Sequence, residues 1–236
     1  IKINVFGTKN ILDIAIQNNV ERFVFVSTDK AVNPTNIMGA SKRLAEILVQ
    51  SAYYKQKSAE KLQIIITRFG NVLGSNGSVV NLFEEQIKNG GPITVTHPDI
   101  NRFFMTIPEA CKLVLEAGTM GAGGEIFVFD MGKPIFIREL AEKMIRLSGK
   151  EPYKDIDIVY SGLRPGEKLY EELLADSSKT LPTYHSKILI AQDPVHCFES
   201  ISEFLFKLKD NSFETKEDLI DVIRELVPEF IQTPQE

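Results

Sequence analysis

Two short stretches constrain this chain more than anything else in it: RFVFVS at 22–27 and LQIIITRFG at 62–70. Each is a nearly unbroken apolar run that ends in polar or glycine residues. A strand wetted on one face alternates apolar with polar; one buried on both faces does not, and burial on both faces marks a parallel sheet covered by helices. Between the runs, Ser41, Leu44, Ala45, Leu48 and Ala52 fall on one face of a helix expected over 36–56. Before them, Val5, Ile11, Leu12, Ala15 and Ile16 recur at helical spacing, with Asn18-Asn19 as the stop. Helix, strand, helix, strand at these separations predicts an α/β fold built on a parallel sheet.

Past residue 74 the pattern loosens. The periodicity predicts helices over 79–90, 107–118, 137–149 and 166–174, and two more in the last 40 residues, with KEDLIDVIRELV as a solvated, charged face. Short strands are expected at 92–97, 125–131 and 155–162. The expected organisation is a Rossmann-like core to residue 75 and a smaller mixed α/β substrate-binding part over 76–236, with segments near 101–132 returning to the core. A net charge of −5 argues against wholesale binding to nucleic acid. Two distant cysteines, Cys111 and Cys197, point to a reducing compartment, hence cytoplasm. His97, His185 and His196 show no metal-ligand spacing and read as structural or surface residues.

In a parallel sheet, ligands sit outside the carboxyl ends of the strands. The stretch STDKAVNPTNIMGASK (27–42) begins where the first run ends, so Ser27, Thr28, Asp29 and Lys30 face that crevice. Met38 and Lys42, four apart, share a face of the following helix. Read plainly, the stretch is also an ordinary solvated strand-to-helix loop with an Asn-Pro turn. No G-x-G-x-x-G occurs in the chain, and the first residue is Ile. If this is a dinucleotide-binding sheet, its first half is expected outside these residues.

A strand ending in Ser/Thr before a helix with Lys42 at the end of an x-x-x-x-K pattern resembles the extended short-chain dehydrogenase/reductase superfamily, whose helix carries Y-x-x-x-K. The fuller string STDKAVNPTNIMGASKR is similar to the CapD-like nucleotide-sugar 4,6-dehydratases of bacterial polysaccharide biosynthesis, which act on UDP-N-acetylglucosamine. RFGNVLGSNGSVV (68–80), GGPITVTHPDINRFFMTIPEA (90–110) and GLRPGEKLYEELL (162–174) continue the likeness in order.

The resemblance implies a Rossmann-type fold and a NAD or NADP that is tightly bound and recycled within each turnover. Sugar C4 is oxidised, water is lost across C5 and C6, and hydride returns to C6. It gives Asp29 the role of acid toward the C6 oxygen, Lys30 that of base at C5, and Thr28 a hydrogen bond to the C4 oxygen. Lys42 would hold the cofactor ribose, and Asn4, Ser27, Phe69, Gly70 and Val72 would border the cofactor. Asn71, Ser78, Val79, Arg102, Arg164 and Glu167 are the expected contacts to the UDP-sugar. The free N–H groups after SNGS suit phosphate, the two guanidinium groups suit a diphosphate, and Glu167 suits a ribose hydroxyl.

Met38 departs from the family tyrosine, and a thioether has no proton to exchange. The C4 proton then falls to Lys30, Asp29, or a water between Thr28 and Lys42. Methionine here goes with the larger, membrane-anchored branch of the family, which suggests membrane attachment only through an N-terminal region and a place in the cytoplasm or at its membrane face. The N-V-F-G-T-x-N pattern implies close packing of Gly7 on the sheet, and the superfamily implies a homo-oligomer paired through helices 1–18 and 36–56. Two rival readings stay open: a UDP-sugar 4-epimerase or reductase, and a non-catalytic fragment that binds a nucleotide sugar.

Overall fold

The computed structural model describes residues 1–56, 62–174, 176, 178–210 and 215–231. A π-helical turn, Lys2–Gly7, runs into α1 (Thr8–Gln17), followed by β1 (Arg22–Val26), α2 (Ile37–Lys55) and β2 (Gln63–Arg68). Next come β3 (Asn71–Val72), α3 (Val79–Lys88), β4 (Ile93–Val95), β5 (Asn101–Arg102), β6 (Phe104–Met105) and α4 (Ile107–Met120). The chain continues through β7 (Ile126–Phe129), β8 (Ile135–Phe136), α5 (Ile137–Leu147) and β9 (Ile158–Tyr160). It ends with β10 (Thr180–Pro182), β11 (Ile188–Ala191), α6 (Phe198–Asp210) and α7 (Lys216–Leu226).

Contacts divide the chain into two compact units. Among the described residues, the first holds Ile1–Phe69, Leu113–Asp130 and 172–231; the second holds Gly70–Lys112 and Met131–Glu171. The C-terminal helices thus go with the sheet rather than with residues 76–171.

The first unit is built on a five-stranded sheet in the order β1-β2-β7-β11-β10. The two apolar runs form the parallel pair β1–β2, in register from Arg22 opposite Gln63 to Val26 opposite Thr67, and β7 extends it in parallel. The antiparallel pair β11–β10 closes the other edge and was not legible in the pattern: each strand is short and has little alternation.

α2 is the pivot of this unit. The apolar spacing predicts one buried face, yet thirteen of its nineteen residues are buried, more than one face can hold. On one side Ala45, Val49 and Ala52 pack on Leu12, Phe25, Ile64 and Ile66. On the other, Leu44, Ile47 and Leu48 pack on Phe204 and Leu205 of α6 and on Ile220 and Ile223 of α7. A side chain of this size contributes about 1.5–3 kcal/mol when fully buried, so α6 and α7 are part of the core. They also cover the second face of α2. Among the described residues no helix is long and apolar enough to cross a membrane.

The second unit packs α3 and α5 on the β4–β9 pair, with Phe83, Ile87, Ile93, Val95, Ile145 and Ile158 at its centre. Here the expected helix over 166–174 is absent. The Leu169 carbonyl, which a helix would turn to the amide four residues on, instead accepts from the amide of Asn101 and the guanidinium of Arg102. Tertiary capture of that backbone group outweighs helix propensity. Gly7 needs a different reading too: a Cβ there would meet only the Lys2 carbonyl, at 3.8 Å, so packing against the sheet is not its reason.

Candidate active site

The loop after β1 is an extension of the sheet. Ser27 N–H donates to the Thr67 carbonyl (2.7 Å) and Asp29 N–H to the Phe69 carbonyl (3.1 Å), so the ladder continues past the last strand residue. Asp29–Ala31 then forms a single 3-10 turn whose start is capped by Thr28, the hydroxyl accepting from Lys30 N–H. This tight turn brings the Thr28 hydroxyl and the Lys30 amine within hydrogen-bond distance of the Asp29 carboxylate.

Asp29 is 1% exposed. Its Oδ1 accepts from the Thr28 hydroxyl and from Lys30 Nζ, each at 2.9 Å. Its Oδ2 is buried and has no hydrogen-bond partner among the described residues. A buried carboxylate oxygen is costly unless water, a ligand or a proton satisfies it. The Lys30 side chain is 26% exposed, so the pair is open on the amine side.

α2 supplies the other half of the loop. Asn36 caps it by accepting from Gly39 N–H (2.9 Å). A Cβ at Gly39 would lie 2.2 Å from the Lys30 carbonyl, so only glycine lets the helix start close against the turn. The sequence reading did not single out Gly39; its place between Met38 and Lys42 was the available signal. Lys42 Nζ donates to the Val26 carbonyl (2.9 Å), one residue before Ser27, and lies 4.5 Å from the centre of the Phe25 ring. Burial pulls its pKa down from the usual lysine value, partly offset by the Glu46 carboxylate. Met38 is 47% exposed. Its carbonyl accepts from Ser41 Oγ, which itself accepts from Asn4 Nδ2 (2.9 Å), so Asn4 is tied to this helical turn. Phe69 stacks on Phe129 with centroids 5.4 Å apart, and its carbonyl holds Asp29.

Arg68 is turned into the protein. It is 3% exposed and grips Glu46 of α2 through Nε (2.8 Å) and Nη2 (2.6 Å), with Asp193 also at 2.6 Å. Arg43 joins the same group, bridging Glu46, Asp193 and Glu229. The arginines hold the Glu46 carboxyl below its usual range despite burial, and the acids raise Arg68.

The remaining expected residues belong to the second unit. Asn71 donates from N–H and from Nδ2 to the Phe103 carbonyl (3.1 Å each), fixing β3 on β6 with Val72 opposite Met105. Gly70 N–H points at the Met131 sulfur (3.4 Å). Ser78 precedes α3 with its hydroxyl buried and without a partner among the described residues, and Val79 is the first helical residue. Arg102 is clamped by Glu167 and Glu171, each at 3.3 Å. Glu167 also accepts from Thr96 Oγ1 and Arg164 N–H, and Arg164 is exposed. Among the described residues no group of three or more His, Cys, Asp or Glu gathers in a way that could hold a metal.

The parallel sheet, the Thr-Asp-Lys turn at the end of its first strand and the half-buried Lys42 on the following helix agree with the Rossmann-like fold that the resemblance to the extended short-chain dehydrogenase/reductases implies. The family model described as "Polysaccharide biosynthesis protein" matches residues 1–193, and this chain belongs to that family, in its CapD-like group. It is similar to capsular polysaccharide biosynthesis protein CapD of Staphylococcus aureus, 58% identical over 74% of this chain and 28% of CapD. It is also similar to UDP-glucose 4-epimerase of Rickettsia canadensis, 41% identical over 74% of this chain and 50% of that protein. The structure of Pen from Bacillus thuringiensis superposes with a TM-score of 0.73 at 41% identity, over 82% of this chain and 60% of that one. The chain thus spans between a quarter and a half of the length of these two curated relatives. More distant solved structures, some in complex with NAD and some with UDP-sugars, share the fold alone.

Proposed function

We propose that this chain carries the eliminating half of a nucleotide-sugar 4,6-dehydratase acting on UDP-N-acetylglucosamine, in bacterial surface-polysaccharide synthesis. The single observation behind this reading is the Asp29–Lys30 pair, one carboxylate oxygen filled and the other buried and bare. Elimination across C5 and C6 needs a base for the C5 proton and an acid for the departing C6 oxygen. Moving one proton from Lys30 Nζ to the Asp29 carboxylate, across 2.9 Å, turns the ion pair into that neutral amine and neutral acid. Lys30 then takes the C5 proton, and Asp29 gives its proton to the C6 hydroxyl, which leaves as water. In this reading the Thr28 hydroxyl, which donates to Asp29 in the free protein, turns to the C4 oxygen when the sugar binds.

The residues fit the nicotinamide side of NAD or NADP: Lys42 and Ser27 lie at the carboxyl end of β1, and Asn4 and Phe69 hold the segments beside them. Bound there, the cofactor would accept hydride from C4 and return it to C6. In this reading the first unit belongs to the cofactor-binding domain and the second binds the sugar nucleotide. There Ser78, Val79 and Asn71 are assigned to substrate, with Gly70 and Val72 at the cofactor. Arg102, Arg164 and Glu167 take the diphosphate and ribose, which requires Arg102 to exchange a carboxylate partner for phosphate. The exposed Ile11 and Ile14 of α1 support pairing with a second copy.

The test is to incubate the full-length protein with UDP-N-acetylglucosamine and weigh the product. A sugar lighter by a water, trapped as a 4-ketone by hydroxylamine, is the expected result; a product of unchanged mass excludes elimination. Likeness to a UDP-glucose 4-epimerase favours a second reading, C4 epimerisation, whose product would keep its mass.

A further inference from the structure

We propose that Arg68 and Glu46 are positioning residues, locking the Thr28–Asp29–Lys30 turn in register with the helix that carries Lys42. The proposal rests on the reaction assigned above to that turn. The backbone of the turn hangs on two carbonyls, Thr67 and Phe69, and Arg68 is the residue between them. Its guanidinium is held in two-point fashion by Glu46, one helical turn after Lys42 on α2. The pair therefore ties the peptide that holds Asp29 to the helix that holds Lys42.

Both side chains are almost fully enclosed, Glu46 at 0% and Arg68 at 3% exposed. A planar fork gripping a carboxylate at two points fixes angle as well as distance, which an apolar contact of the same volume does not. Arg43 joins Glu46 to Asp193 and Glu229, so the lock also reaches the segments before α6 and after α7. Replacing a buried ion pair by apolar residues of similar size is often neutral for stability. That separates a positioning role from a structural one.

The experiment compares the full-length protein with the double variant Glu46→Met/Arg68→Met, and with Phe204→Ala as a control for lost stability on the far side of α2. Two readouts are taken: amide exchange at Ser27 and Asp29, and kcat against KM for the dehydration. Positioning predicts faster exchange at those two amides in the double variant. It also predicts kcat down by about 10²-fold, the cost of a misplacement near 1 Å, with KM little changed and the Tm close to that of the parent. Phe204→Ala lowers Tm but leaves kcat and the two amides as they were. A double variant that folds with parental exchange at Ser27 and Asp29 overturns the proposal. If the double variant fails to fold, Arg68→Lys replaces it, keeping the charge and losing the fork. Its exchange at the same two amides then decides. If exchange accelerates but the parent forms no dehydrated product, the assigned reaction fails while the positioning stands.

Discussion

Asp29 and Glu46 are both carboxylates removed from water, at 1% and 0% exposure, in the same compact unit. They are treated in opposite ways. Both Glu46 oxygens are filled by arginines, three N–H donors in all. Asp29 has one oxygen filled and one with no partner among the described residues. A fully partnered buried charge holds elements together and resists change. One left incomplete lowers local stability and keeps a group available for a proton. The same contrast separates Arg68, sealed in its fork, from Lys30, whose amine remains partly open.

The largest expected effect breaks the Asp29 side of this contrast. Asp29→Asn should cut turnover by roughly 10²–10⁴-fold, the range for losing an acid–base group, while Tm holds or rises. Parallel steady-state assays and thermal melts check it; a fall in Tm that accounts for the activity loss would make Asp29 structural. Breaking the other side gives the reverse pattern. Glu46→Ala leaves two buried arginines underpaired and should cost about 3–5 kcal/mol, read from the denaturant midpoint at constant slope.

Acid sharpens the comparison further. The folded pKa of Glu46 lies below its ordinary 4.5 and that of Asp193 below 3.8, through their arginine partners. Groups depressed in this way stabilise fully above the unfolded value and lose that contribution as pH falls through the folded one. Stability should therefore drop below about pH 4.5 as these two protonate, and Glu46→Gln should flatten the slope in denaturant titrations taken below that pH.

Smaller effects come from α2's first turn. Gly39→Ala drives a methyl into the Lys30 carbonyl and should cost about 1–3 kcal/mol as overpacking, measurable by Tm. Met38→Tyr, at an exposed position, should change stability by less than about 0.5 kcal/mol. Because it restores a phenol four residues before Lys42, it tests directly how the C4 proton leaves: an unchanged pH–rate profile would show that the parent route does not depend on that position.

Much of this was legible in the residues. The two apolar runs announce the parallel pair, and the polar burst after the first marks the ladder end where Ser27, Asp29 and Lys30 lie. What stayed hidden depends on long-range partners. Arg68 stands at a strand end, and nothing near it in the sequence announces its partners, Glu46 from 22 residues before and Asp193 from 125 residues after. GEKLYEELL has helical spacing, but Asn101 and Arg102 take the backbone carbonyl such a helix needs. The second buried face of α2 depends on α6 and α7, some 150 residues downstream, which no local period records.

The most direct test of the central claim, that the Thr28–Asp29–Lys30 turn performs the elimination, is isotope exchange at sugar C5. The full-length protein and its Lys30→Ala variant are incubated with UDP-N-acetylglucosamine in deuterated water, and the sugar is analysed by mass spectrometry and proton NMR. The parent should give a dehydrated sugar carrying solvent deuterium at C5, and Lys30→Ala should give neither. Dehydrated, C5-deuterated product from Lys30→Ala at the parent's rate would contradict the assignment.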